Sequence, residues 1–133
     1  MIIKGKIYKL PKRFKDKWVK ALRSGKYKQD KSKLLKYKEE VIDGKIKYIS
    51  KFCCIGVACI INNVEKNIIK NQALISLDDF EKELFKNFNV PNILKGSVDE
   101  NPLVSKLIQL NDGTNEKNPK TFNYIASYIE RYL

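Results

Sequence analysis

The chain has 133 residues, of which 43% are hydrophobic and 32% charged, and a formal net charge of +12. A domain of this size buries roughly two thirds of its unfolded surface, which excludes disorder as a description of the whole chain. The most apolar run, residues 52–61, is about half of the ~20 residues that a membrane span needs. No apolar signal-peptide segment follows the basic start of the chain. We therefore expect a cytoplasmic protein with reduced thiols and no membrane partner.

The positive charge is concentrated in the first two fifths of the chain. Residues 1–51 carry 18 Lys/Arg against 5 Asp/Glu, whereas residues 52–133 carry 9 against 10. Such an asymmetry is typical of a surface for phosphate-bearing partners such as nucleic acid, a nucleotide or anionic lipid. Only three of the 27 basic residues are arginine, which is the usual side chain for bidentate recognition. A face of solvated lysines that binds nothing stays open as the alternative.

The first predicted elements are a strand and a helix. Residues 2–10 favour an edge strand that ends before Pro11. The segment after Pro11 predicts an amphipathic helix, because apolar residues recur at helical spacing: Phe14, Trp18, Ala21 and Leu22. Gly25 follows at the position where a helix end takes a left-handed residue.

Residues 34–52 predict a β-hairpin around Asp43-Gly44, the strongest short hairpin signal. A two-residue turn sets these cross-strand partners: Val41 with Ile46, Glu40 with Lys47, and Tyr37 with Ser50. One side of the hairpin then collects most of its apolar residues, which are Leu35, Tyr37, Val41, Ile46, Tyr48 and Phe52. We expect this side to be half-buried, which would make the hairpin structural.

All three cysteines lie in "KFCCIGVACII", residues 51–61. An apolar run this complete predicts a central helix packed on the hairpin, with a buried strand as the alternative. The spacing C-C-x4-C fits no tetrahedral zinc site, because Cys53 and Cys54 point to different faces of a helix and the chain lacks histidine. We expect no metal and no cofactor. Buried, inert thiols are favoured over a reactive one near the helix start, and Gly56 is expected to permit close packing.

The remaining elements complete an α+β pattern. Connecting chain is expected after the cysteines, with a short strand at 73–76, and Ser76 then caps a predicted helix over 77–88. Another short helix begins at Asn101-Pro102 and ends at Asn111-Asp112-Gly113. The last helix begins near Pro119 and presents one apolar face, which consists of Phe122, Ile125, Ile129 and Leu133. The sequence predicts a single small α+β domain, residues 1–133, with amphipathic helices packed on a hairpin or small antiparallel sheet.

Two polar stretches are candidates for ligand binding. In "RSGKYKQDK", residues 23–31, Tyr27 is flanked by cations, which suits a stacked base with phosphate contacts. The alternative is a solvated turn with Tyr27 packed on the core. "LNDG", residues 110–113, is first a helix end and turn, and only second a ligand contact. The predicted ligand-binding residues are Arg23, Lys26, Tyr27, Lys28, Gln29, Asn111 and Asp112.

No reaction is indicated by the sequence. The lack of histidine removes Ser-His and Cys-His nucleophile pairs and a histidine base. The glycines form neither a P-loop nor a G-x-G-x-x-G motif. We expect a non-enzymatic binding protein without catalytic residues. An enzyme that uses Cys53 or a carboxylate is the last alternative.

Four segments carry a resemblance to known proteins: "FKDKWVKALRSGKYKQ" (14–29), "FCCIGVAC" (52–59), "IQLNDG" (108–113) and "FNYIASYIERYL" (122–133). With W-x3-L-R-S-G-x-Y-x-Q and C-C-[LI]-G-V-x-C in this order, the chain resembles a family of small proteins of uncharacterised function from bacteriophages and prophages. Family members usually place a glycine soon after the glutamine, whereas Asp30 and Lys31 follow here. The resemblance implies a phage or prophage origin, the host cytosol and an accessory role in host interaction or anti-defence, without an activity.

These observations favour two functions. One is a phage-encoded binding protein whose basic N-terminal half holds a phosphate-bearing ligand, either nucleic acid or a nucleotide. A pocket joining Arg23, Tyr27 and Gln29 would favour a nucleotide, and a long lysine face would favour nucleic acid. The alternative is a protein–protein inhibitor or adaptor of a host enzyme, which an exposed apolar patch on the last helix would favour.

Overall fold

The computed structural model describes residues 1–75 and 90–133. The described strands all lie within residues 2–52, and every described helix except the first follows them, which confirms the α+β class. The elements in order are β1 (Ile2–Ile3), β2 (Lys6–Ile7), α1 (Lys12–Arg23), β3 (Lys28–Gln29), β4 (Leu35–Ile42), β5 (Lys45–Phe52), α2 (Cys54–Ile61), α3 (Lys66–Ile69), a 3-10 turn (Asn92–Leu94), α4 (Pro102–Asp112) and α5 (Phe122–Tyr132). Within the described ranges, no helix is long and apolar enough to cross a membrane.

The start of the chain differs from the predicted single strand over 2–10. Lys4 and Gly5 have φ angles of 49° and 80° and reverse the chain, so that β1 pairs antiparallel with β2. The alternation of apolar residues does not reveal this reversal, because only the glycine marks the turn.

Helix α1 forms as the apolar spacing predicts. Its buried residues are Phe14, Trp18, Val19 and Leu22, while Ala21 is half-buried. Gly25 follows the helix with a φ of 75°, the predicted left-handed conformation. The fully buried Trp18 donates its indole N–H to the main-chain carbonyl of Cys54 at 2.9 Å. This bond attaches α1 to the start of α2.

The hairpin has the predicted register. Val41 pairs with Ile46, and the turn residues Asp43 and Gly44 have φ angles of 51° and 76°. Positive φ at both positions is what a type I′ hairpin turn requires. Strand β3 adds a third, parallel strand beside β5, with Lys28 opposite Lys51, so the sheet order is β3-β5-β4.

The expected burial of the hairpin's apolar side is wrong for most of its length. Leu35 and Phe52, at the base, are buried. The other apolar residues on this side are exposed, by 39% at Tyr37, 74% at Val41, 66% at Ile46 and 67% at Tyr48. Strands of eight residues extend about 27 Å, and the helical layer covers only the end near Leu35 and Phe52. Residues 37–50 therefore project from the core, and we call them the hairpin arm.

Helix α2 is the predicted central helix, with residues Cys54 to Cys59 all buried. Gly56 lies against the main chain of Leu34, which confirms its packing role. Two expectations that follow it are corrected, because the short α3 occupies the predicted connecting chain and residues 73–75 form no strand. Ser76 and the predicted helix over 77–88 lie outside the described residues.

The two C-terminal helices form where predicted. The Asn101 side chain accepts hydrogen bonds from the first turn of α4, and Gly113 follows that helix with a φ of 81°. Helix α5 begins at Phe122 rather than near Pro119, because the Thr121 hydroxyl accepts from Tyr124 N and caps the helix there. Its predicted apolar face is buried in full, at Phe122, Ile125, Ile129 and Leu133.

Candidate nucleic-acid interface

Asn111 is the centre of a buried hydrogen-bond network that joins three segments of the chain. Its Oδ1 accepts from Gln29 Nε2 and from Cys54 N, both at 3.1 Å. Its Nδ2 donates to the Asp30 carbonyl at 2.9 Å and to Asp112 Oδ1 at 2.8 Å. These four bonds use both donors and both lone-pair directions of the amide. Asn111 is 1% exposed, and its side chain joins these segments of the protein.

Gln29 and Asp112 extend this network, which we call the Asn111 hub. Gln29 Nε2 also donates to the Lys120 carbonyl at 2.8 Å. Asp112 Oδ2 accepts from Ser32 N at 3.2 Å. A surface depression of about 270 Å³ adjoins the hub, slightly below the roughly 300–1,000 Å³ of most ligand pockets. The structure thus brings Gln29, Asn111 and Asp112 together in a structural role.

Arg23 and Tyr27 face other parts of the protein. The Arg23 guanidinium donates to Glu130 at 2.9 Å and to the Ser127 hydroxyl at 3.2 Å, and so connects α1 to α5. The half-buried Tyr27 ring packs edge-on against Phe52, with centroids 5.5 Å apart. Among the described residues, no pocket unites Arg23, Tyr27 and Gln29. The arrangement that would have favoured a nucleotide at this loop is therefore not formed there.

Lysines line the other side of the sheet. Strand pairing places Lys28, Lys51 and Lys36 in one row across the three strands. Side chains alternate along a strand, so further lysines follow on the same side toward the hairpin turn. We call this side the lysine face; its members are Lys28, Lys36, Lys38, Lys45, Lys47 and Lys51. Of the predicted ligand residues, Lys28 belongs to the lysine face. Lys26 is exposed two residues earlier in the chain.

Two carboxylates neutralise part of the lysine face. Asp30 lies 2.9 Å from Lys38 Nζ and 3.3 Å from Lys36 Nζ. Burial alone raises the pKa of Asp30, but hydrogen bonds from Lys38, Lys31 N and Lys36 outweigh it and hold the pKa at about 2. A hydrogen bond from Lys51, whose Nζ is 3.1 Å away, lowers the pKa of Glu40.

Both carboxylates are therefore ionised at neutral pH. The six lysines keep a net charge of +4 after these two anions are subtracted. The ion pairs found among the described residues include neither Lys45 nor Lys47. Lys45 and Lys47, toward the tip of the hairpin arm, therefore have no described carboxylate within 4.0 Å.

The thiols are buried and protonated. Cys53 caps α2 by accepting from Gly56 N at 3.4 Å, and all three cysteines are free and buried. Burial raises the pKa of Cys53 to about 11 and raises the pKa values of Cys54 and Cys59 as well. In the described part of the chain, no three His, Cys, Asp or Glu side chains are grouped closely enough to hold a metal ion.

We expect native Cys53 to react with iodoacetamide far more slowly than an ordinary thiol. The shift of its pKa from 9.0 to about 11 lowers the thiolate fraction about a hundredfold at mildly alkaline pH, and burial blocks access further. Mass spectrometry would follow labelling of the native protein, with the guanidinium-unfolded protein as the control. Rapid labelling of Cys53 in the native state would revive the reactive-thiol alternative.

The family model described as "Domain of unknown function (DUF8296)" matches residues 10–133. The chain belongs to this family. No curated protein and no solved structure matches it. The DUF8296 match begins just before α1 and runs to the last residue, so it includes the Asn111 hub and the whole lysine face.

Within this DUF8296 domain, sequence reasoning found some charged residues of the sheet and missed others. The sequence pattern indicates Lys28, for its place beside Tyr27, but not the other five members of the lysine face: Lys36, Lys38, Lys45, Lys47 and Lys51. The available signal was the predicted hairpin register, which puts every second residue of both strands on one side. The pairing of Asp30 with Lys36 and Lys38 had no such signal, because Asp30 lies on a separate segment that the parallel β3 pairing brings alongside.

Proposed function

We propose that this protein is a bacteriophage accessory protein that binds nucleic acid in the host cytosol through its lysine face. The observation that carries the proposal is the net charge of +4 on the lysine face, which extends from the base of the three-stranded sheet onto the projecting hairpin arm. The phage origin and the cytosolic setting derive from the resemblance of the sequence motifs. Binding, without catalysis, agrees with the buried, protonated thiols.

The shape of the hairpin arm suits a nucleic-acid groove. The major groove of B-DNA is about 12 Å wide and admits a two-stranded β-ribbon. A ribbon of eight-residue strands is about 27 Å long, which is shorter than one helical turn of DNA, about 34 Å. Lysines carry little information about base identity, since they act as point charges on phosphates. We therefore infer weak sequence preference and strong dependence on salt.

Replacing Lys45 and Lys47 with glutamine is expected to weaken nucleic-acid binding and to flatten its salt dependence. Each lost phosphate contact reduces the slope of log K against log salt by about 0.9 on duplex DNA, so the double variant should lower it by roughly 2. Fluorescence anisotropy with short single- and double-stranded DNA and RNA, at about 50 and 200 mM salt, measures this slope.

The matched control is the double variant Lys117→Gln/Arg131→Gln. It removes the same charge from two exposed positions outside the lysine face, so it should leave the slope nearly unchanged. Equal losses of nucleic-acid affinity in the two double variants would show that only the net charge of the protein matters. That result would contradict the assignment of binding to the lysine face. Absence of binding by the unmodified protein at low salt would remove nucleic-acid binding altogether.

A second candidate is protein–protein binding by the opposite side of the hairpin arm. The apolar patch on the last helix that would favour this function is largely absent, because α5 buries its apolar stripe and exposes Tyr124 and Tyr132. The larger exposed apolar set is instead on the arm, where Val41, Ile46 and Tyr48 are each about two thirds exposed or more. Contiguous apolar surface of this kind marks protein interfaces. The anisotropy experiment separates the two functions, since an adaptor or inhibitor of a host enzyme needs no nucleic acid.

A further inference from the structure

A second candidate binding site lies away from the sheet. A cavity of about 700 Å³ opens between the start of α1, the end of α2 and the 3-10 turn. This volume is within the range of about 300–1,000 Å³ that is usual for small-molecule pockets. Its walls combine apolar side chains, including Phe14 and Val90, with three cations: Arg13, Lys17 and Lys95.

Internal hydrogen bonds position two of the three cations. Lys17 Nζ donates to the Ile61 carbonyl at the end of α2, at 3.3 Å. Lys95 Nζ donates to Asn92 Oδ1 at 3.1 Å. Burial lowers the pKa of Lys95, because the cavity wall withdraws its ammonium from water. Both lysines thus donate to residues of the cavity lining, and Arg13 and Lys17 are exposed at its edge.

None of these three cations forms an ion pair with a described carboxylate. The ion pairs of the described residues involve none of Arg13, Lys17 and Lys95, so no described carboxylate lies within 4.0 Å of them. The first turn of α1 contains no acidic residue and lacks a side-chain cap, so its positive end adds to the field there. Three cations around one concavity, with no described carboxylate within 4.0 Å of any of them, suit a ligand with more than one negative charge.

We propose that this cavity binds a small phosphorylated ligand the size of a mononucleotide. Arg13 and the two lysines hold the phosphate by charge-assisted hydrogen bonds, and Phe14 and Val90 pack against the apolar part of the ligand. The site is independent of the lysine face, because it shares no residue with it. It gives the protein a small-molecule site in addition to the proposed nucleic-acid surface.

Isothermal titration calorimetry of the full chain with AMP, ATP and inorganic phosphate tests the proposal. The nucleotides should bind more tightly than inorganic phosphate, since only they reach the apolar wall. Arg13→Gln and Lys95→Gln should each weaken nucleotide binding about tenfold or more, as expected for a lost hydrogen bond between charged groups. Lys20→Gln, an exposed change on α1 outside the cavity, should have no effect. Lys95→Arg retains the charge and should restore most of the affinity.

Three results would overturn the assignment. The first is the absence of nucleotide binding to the unmodified protein. The second is an equal affinity for AMP and inorganic phosphate, which would remove the apolar wall from the site. The third is loss of nucleotide binding in Lys45→Gln/Lys47→Gln with retention in Lys95→Gln, which would place the nucleotide on the lysine face. Two separate sites are supported if Lys45→Gln/Lys47→Gln retains nucleotide binding while its nucleic-acid binding falls.

Discussion

Replacing Gly56 with alanine is expected to destabilise the protein by more than about 3 kcal/mol, a large part of a typical 5–15 kcal/mol of stability. An added Cβ would lie 1.8 Å from the Leu34 carbonyl oxygen and 2.7 Å from its carbon. Both are main-chain atoms, so a change of side-chain rotamer cannot relieve the overlap. Helix propensity alone would favour alanine by about 1 kcal/mol, so the direction of the effect tests the close approach. Urea unfolding followed by circular dichroism measures it.

Gly25→Ala is the matched control for this substitution. Gly25 has a φ of 75° but no atom within 4 Å of an added Cβ, so alanine there meets backbone strain without a clash. The left-handed conformation should cost it about 1–2 kcal/mol. A smaller loss for Gly56→Ala than for Gly25→Ala would mean that α2 does not lie against the Leu34 main chain as described.

Asn111→Ala is expected to cost about 3–5 kcal/mol, because it removes all four hydrogen bonds of the Asn111 side chain and leaves buried groups without partners. Cys54 N and the Asp30 carbonyl would each lose a bond at the centre of the domain. Asn111→Asp retains an acceptor for Cys54 N but removes the donor to the Asp30 carbonyl and adds charge beside Asp112, so it should also destabilise.

Gln109→Ala provides the comparison for Asn111. Gln109 lies on the same helix, is exposed, and donates its side-chain amide to the Ser105 hydroxyl. Its removal should change the free energy of unfolding by less than about 0.5 kcal/mol. Urea denaturation of the three variants gives the free energies. A loss below about 1 kcal/mol for Asn111→Ala would show that water or relaxation replaces the hub bonds.

The hub also explains what the first three of the four motif segments do in the fold. Gln29 from the first segment, Cys54 N from the second and Asn111 from the third meet in one network. Trp18 of the first segment binds the Cys54 carbonyl of the second. These motif residues thus hold helices and loops together. The candidate ligand contacts are instead the lysines of the lysine face and the cations of the cavity.

Local patterns were enough for the secondary structure of most of the chain. The spacing of Phe14, Trp18 and Leu22 determined α1, and Asp43-Gly44 determined the hairpin register residue by residue. Both signals act within a few residues, since helical periodicity and a type I′ turn are local preferences of the backbone. The apolar residues around the three cysteines likewise predicted that the cysteines are buried.

Long-range packing decided what these elements do. The sequence by itself determined the α+β class, four of the described helices (α1, α2, α4 and α5), the hairpin register and the asymmetry of charge. How much of the hairpin's apolar side is buried depended on how far the helices extend along it, and they leave Val41 and Ile46 exposed. The structure also gives Arg23 and Asn111 partners within the protein. Arg23 binds Glu130, about a hundred residues away in the chain, and Asn111 binds Gln29, about eighty residues away. Such partners leave no local signal, because pairing between distant segments is set by tertiary packing and not by the residues beside them in the chain.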